Sequence, residues 1–133
     1  MDLLLCVDDD PITIMLSKMV LTRAAYAKEI ITAQNGEEAL QYLDSLLEST
    51  ASSTPSLIFL DLNMPVMGGW EFLDAFSHDK YRTVFASCKV IVLSSTIDPK
   101  DIEKSKSYSM VLDFMPKPIS KDLLEQVNQL LQP

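Results

Sequence analysis

Glycine is scarce in this 133-residue sequence: three in all, Gly36, Gly68 and Gly69. They make no Gly-rich loop of the kind that cradles a phosphate, which argues against a flavin or nucleotide binder. Cysteine is scarcer. Cys6 and Cys88 sit in or beside apolar runs and form no metal or redox motif, so they read as small buried hydrophobes in a reducing compartment. The single histidine, His78, falls at a predicted helix end and reads as solvated. Long apolar runs are missing; the longest span five to seven residues, too short to cross a membrane. The N-terminus has no basic n-region and turns acidic at Asp8, unlike a signal peptide, so the expected location is the cytoplasm. Bases are few, 11 against 19 acids, and a net charge of −8 lacks the basic footprint of a nucleic-acid binder.

What the sequence has is one domain's worth of ordinary globular chain, 47% hydrophobic and 23% charged. The acid excess is lopsided: residues 1–79 hold 13 acids and 3 bases, residues 80–133 hold 6 acids and 8 bases. Strand and helix patterns alternate five times. Residues 3–7 are a continuous apolar run, as expected of a strand buried on both faces. Asp10 and Pro11 read as N-cap and first helical residue. The helix that follows carries Ile12, Met15, Leu16, Met19 and Val20 at amphipathic spacing, its expected buried stripe. Residues 28–33 predict a second strand, and a helix follows Asn35 with Ala39, Leu40, Leu43 and Leu47 on one face. Residues 49–55 read as a surface loop. Further strands are predicted over 56–60, 89–93 and 110–114, with helices over about 70–77, from Asp98-Pro99 onward, and after Ser120, where Leu123, Leu124, Val127, Leu130 and Leu131 form a stripe. This pattern predicts an α/β fold: one doubly wound, five-stranded parallel sheet of order 2-1-3-4-5 with helices on both faces.

In such sheets ligands bind beyond the carboxyl ends of the strands. There the sequence puts Asp8, Asp9 and Asp10, then Asp61, then Ser94 and Ser95, then Lys117. Asp10 reads as a helix cap. The other carboxylates repel one another unless a hard cation such as Mg²⁺ neutralises them, and Mg²⁺ characteristically shares its oxygen ligands with a phosphate. Lys117 can neutralise remaining phosphoryl oxygens and Ser94 can donate a hydrogen bond to one. The set suits in-line phosphoryl transfer with Asp61 as nucleophile.

The segments Val7-Asp8-Asp9-Asp10-Pro11, Leu60-Asp61-Leu62-Asn63-Met64-Pro65-Val66-Met67-Gly68-Gly69, Leu93-Ser94-Ser95 and Pro116-Lys117-Pro118 resemble, in order and spacing, receiver domains of two-component response regulators, the CheY-like family. The resemblance spans essentially the whole chain and implies one receiver over residues 1–133. It implies that Asp61 accepts a phosphoryl group from the phosphohistidine of a sensor histidine kinase or a histidine phosphotransfer protein. It implies that Asp9 and Asp61 bind Mg²⁺ directly, with Asp8 acting through water and the Asn63 carbonyl as a further ligand. Ser94 matches the family's hydroxyl position, Phe114 its switch aromatic, Ser95 a small residue that leaves room for phosphate, and Lys117-Pro118 a cis peptide. Asn63 and Thr96 match positions that tune dephosphorylation.

Such a protein is not expected to turn over a separate substrate. A small-molecule phosphatase using an aspartyl nucleophile usually has a second acid two positions on, where this chain has Asn63, and no cap domain fits in 133 residues. The helix after Asp98 offers only Ile102 and Tyr108 as large apolar groups and is expected to be among the less stable elements. With the fifth strand and last helix it is the expected output face for a downstream protein. The sequence leaves open whether this is a stand-alone receiver or the first piece of a longer regulator.

Overall fold

The computed structural model describes residues 1–48 and 54–132. Five strands, β1 (Leu3–Val7), β2 (Glu29–Ala33), β3 (Leu57–Asp61), β4 (Lys89–Ser94) and β5 (Val111–Pro116), pair in parallel in the order β2-β1-β3-β4-β5. Between and after them come α1 (Pro11–Arg23), α2 (Gly36–Glu48), α3 (Gly69–Phe76), α4 (Asp79–Arg82), α5 (Pro99–Ser105) and α6 (Lys121–Leu131). The expected topology holds. The one unexpected element is α4, a single turn at the end of a stretch whose four residues are too few to carry a helical period. The helix expected after Asp98 is therefore α5. Most of the loop expected at 49–55 lies outside the described residues.

The strands are apolar throughout because successive residues point to opposite faces and both faces are covered. Leu5, Val7, Ile58, Leu60, Val90 and Val92 join a core closed by Leu43 of α2, Phe72 and Phe76 of α3, and Phe85. Leu4, Cys6, Leu57, Phe59, Ile91 and Leu93 join a second core closed by Leu21 of α1 and by Leu123, Leu124 and Val127 of α6. Both cysteines are buried and free, and burial pushes each thiol up to about 12, which keeps it protonated and inert.

The stripe expected on α1 faces the wrong way. Ile12, Met15, Leu16 and Met19 are exposed, at 63, 56, 48 and 42%, whereas Ser17 and Leu21 are the helix's buried residues. The helix is apolar on two sides, and Ser17 at the centre of the inward face hid that face from a count of hydrophobic spacings. Val20 is half-buried, as expected of the inner edge. On α6, Leu130 is likewise exposed while Leu123, Leu124 and Val127 are buried. Helix starts follow their sequence signals: Asp10 accepts from the Ile12 amide at 2.9 Å, Asp98 from Lys100 at 2.9 Å, and Ser120 from Leu123 at 3.1 Å.

Candidate phosphoacceptor site

The carboxyl ends of β1, β3, β4 and β5 bring the site together. Central strands β1 and β3 pair directly, Val7 opposite Leu60, so the residues that follow them emerge side by side. Asp61 ends β3 and is 5% exposed, Asp8 follows β1 and is 7% exposed, and Asp9 is exposed. Each of Asp8, Asp9 and Asp61 offers an oxygen within 4.8 Å of the others. Lys117, just past β5, reaches back over the sheet: its Nζ lies 2.7 Å from Asp8 Oδ2 and 3.3 Å from Asp61 Oδ2. The Lys117 amide donates to the Ser94 carbonyl at 2.9 Å, and the Lys117–Pro118 peptide is cis, as the family resemblance implied.

Ser94 is buried at 1% exposure at the end of β4, where its Oγ accepts from the Thr96 amide at 3.2 Å. The Asn63 amide donates to Asp61 Oδ1 at 3.4 Å, and the Asp10 amide to Asp8 Oδ1 at 2.9 Å. Ser95 is exposed in the β4–α5 loop. Phe114 lies in the core rather than at the rim, 9% exposed beside Val92 and Met110. Asp10 stays outside the cluster as a cap, its carboxyl held below the usual range by hydrogen bonds from the Ile12 amide and the Thr13 hydroxyl.

Electrostatics in the cluster are unbalanced. Burial raises the Asp61 carboxyl above its ordinary value, and Asp8 raises it further, while Lys117 pulls it down without cancelling the rise. Lys117 is itself raised: burial pulls its ammonium down, but the hydrogen bond to Asp8 and the charges of Asp61 and Asp8 more than offset this. Two of the three carboxylates, Asp8 and Asp61, share the Lys117 ammonium, so the cluster carries more acids than bases. That donor set, all oxygen and net negative, fits a hard divalent cation with open positions for water and phosphate.

Two residues matter that sequence reasoning did not single out. A Cβ on Gly69 would lie 2.7 Å from the Asp61 carbonyl oxygen and 2.8 Å from Leu62 Cα, so only glycine lets α3 begin this close to the Asp61 backbone. Val66, in the same loop, adopts φ 71°, a left-handed conformation costly for a β-branched residue, and is 72% exposed. The Gly-Gly pair after Asp61 was the available signal for the first; nothing in the sequence marked the second.

Residues 4–129 match the response regulator receiver domain family. The chain belongs to that family. It is 29% identical over 130 residues to the nitrate/nitrite response regulator NarL of Escherichia coli K12, covering 95% of this chain and 53% of NarL. The receiver thus spans about half the length of that relative. A two-component response regulator from Cytophaga hutchinsonii superposes with a TM-score of 0.87 at 30% identity, covering 98% of this chain and 96% of that one. CheY4 of Vibrio cholerae shares the fold, with a TM-score of 0.75 at 24% identity over 99% of both chains. The receiver has no helix long and apolar enough to cross a membrane among its described residues.

Proposed function

We propose that this receiver is the phosphoacceptor of a two-component relay, with Asp61 as the phosphorylated residue and Mg²⁺ as its cofactor. The observation that carries the reading is the convergence of Asp8, Asp9 and Lys117 on Asp61. One oxygen of Asp61 attacks the phosphorus of a phosphohistidine in line; the P–N bond breaks and its electron pair returns to the imidazole. Bound at Asp8, Asp9, Asp61 and the Asn63 carbonyl, Mg²⁺ would supply the positive charge that lets a phosphoryl group approach carboxylates. Lys117 exchanges its Asp61 contact for a phosphoryl oxygen, and the Ser94 hydroxyl turns to donate to another. Phe114 and the β4–α5 loop then carry the change towards a downstream protein partner.

The phosphodonor is a sensor histidine kinase or histidine phosphotransfer protein, and its docking face is the outward side of α1. That helix begins two residues after Asp9, and its exposed Ile12, Met15, Leu16 and Met19 run away from the site. It also carries Lys18 and Arg23, two of the three bases in residues 1–79. The complementary donor surface is apolar with acidic flanks.

Incubation with Mg²⁺ and acetyl phosphate, read by intact-protein mass, is expected to add one phosphoryl group. Asp61→Asn or chelation of Mg²⁺ is expected to abolish it. An adduct that survives Asp61→Asn refutes the assignment. Met15→Glu should leave this reaction unchanged while slowing transfer from a phosphohistidine protein.

A further inference from the structure

Helix α5 is attached to the receiver at two ends by different means. It is seven residues long, and Ser105 is its one buried residue, with Ile102 half-buried. Its leading end is tethered to the site: four residues separate Ser94 from Pro99, and the Thr96 amide donates to the Ser94 hydroxyl. Its trailing end is held to α3 by side chains alone. The Tyr108 ring stacks on Trp70, centroids 6.0 Å apart and planes at 22°. Tyr108 Oη donates to Asp74 Oδ1 at 2.6 Å, and Lys104 Nζ sits 4.6 Å from the Trp70 ring centroid.

The geometry is a matched pair of helical steps. Trp70 and Asp74 lie one turn apart on α3, and Lys104 and Tyr108 are spaced likewise across the end of α5, so each of one pair meets its partner in the other. Burial, the Asp74 bond and the Asp74 charge push the Tyr108 phenol up to about 12, so it remains a donor at any physiological pH. Phe114 is already packed inward. The side chains that tie the end of α5 to α3 are Trp70, Tyr108, Asp74 and Lys104.

We propose that these four side chains form a clasp that keeps α5 in its resting position against α3, and that phosphorylation, by drawing the Ser94 loop inward, opens the clasp and frees Trp70. This rests on the phosphoacceptor reading of Asp61. Its energetic content is a closed state that must open before the phosphorylated form is reached, so the clasp weakens binding of any phosphoryl group or mimic.

Trp70 is the sole tryptophan, so its emission reports the clasp directly. The full chain is titrated with beryllofluoride in Mg²⁺, and adduct formation with acetyl phosphate is measured in parallel by mass. Emission is expected to shift to the red and become more accessible to acrylamide as the mimic binds. Tyr108→Phe, which removes the Asp74 bond but keeps the ring, and Lys104→Ala, at an exposed position, are expected to show part of that shift beforehand. Both should reach half-saturation at roughly two- to five-fold lower mimic concentration, the factor by which a closed population lowers apparent affinity. A purely structural tie would lower stability in these variants without tightening the mimic. An adduct with unchanged Trp70 emission, or variants that bind the mimic as the unaltered protein does, overturns the clasp alone. Absence of any adduct overturns the phosphoacceptor reading and the clasp with it.

Discussion

Asp61 sits where a carboxylate is poorly tolerated, and the sign of that strain is testable. Its value is raised in the folded protein by burial and by Asp8, so the folded state holds the proton more tightly than the unfolded one. Ionising Asp61 therefore costs stability as pH rises through its titration, with the full cost present above the raised value and none below the unfolded one. Asp61→Asn is expected to melt higher than the unaltered protein at pH 7, with the gain fading towards pH 3; equal gains at both would remove the electrostatic explanation. Two neighbours in the β3–α3 loop test the backbone. Val66→Gly releases a left-handed β-branched residue and should raise stability by about 1 kcal/mol, read as a higher urea midpoint. Gly69→Ala forces a methyl against the Asp61 carbonyl. It should cost roughly 1–3 kcal/mol and slow phosphorylation by acetyl phosphate.

At the scale of elements, α1 shows how a helix can be read correctly as a helix and wrongly as a face. Its start is plain from Asp10 and Pro11, and its helical character from the apolar periodicity. Its orientation was not, because two apolar sides competed and the sheet accepted the one with Ser17 and Leu21. Leu16→Ser is accordingly expected to change stability by under about 0.5 kcal/mol, whereas Leu21→Ala should cost about 2–5 kcal/mol. Chemical denaturation of the two variants decides it, and comparable losses would restore the opposite facing. The sequence marks the helix after Asp98 as weakly packed, and α5 is; that Tyr108 lies beyond its end and bonds Asp74 while packing at the margin of the core required the position of α3.

Across the whole molecule the acid excess of residues 1–79 resolves into two parts. Asp8, Asp9 and Asp61 are gathered into one pocket, while others cap helices or lie in solvent, as Asp10 does. Lys117, from the more basic remainder of the chain, crosses the sheet edge to meet them. A cation that binds only the folded protein stabilises it by mass action. Added Mg²⁺ is expected to raise the melting temperature at pH 7 and to lose that effect as acid protonates Asp61. The same experiment on Asp61→Asn should show a smaller rise at pH 7. Equal Mg²⁺ responses in the two proteins would place the cation elsewhere.

The sequence by itself determined the sheet order, the helix starts and the identities at the strand ends, because each is written locally: in apolar runs of strand length, in cap residues before proline, and in a parallel topology that sends every strand's carboxyl end to one rim. It therefore made Asp8, Asp9, Asp61, Ser94 and Lys117 legible as a group before any distance was known. Tertiary structure decided which side of α1 is covered, that Phe114 is buried, that Val66 is left-handed, and that Trp70 meets Tyr108. Those outcomes depend on how neighbouring elements compete for the same space, and residue spacing along one chain segment carries no information about the segment packed against it.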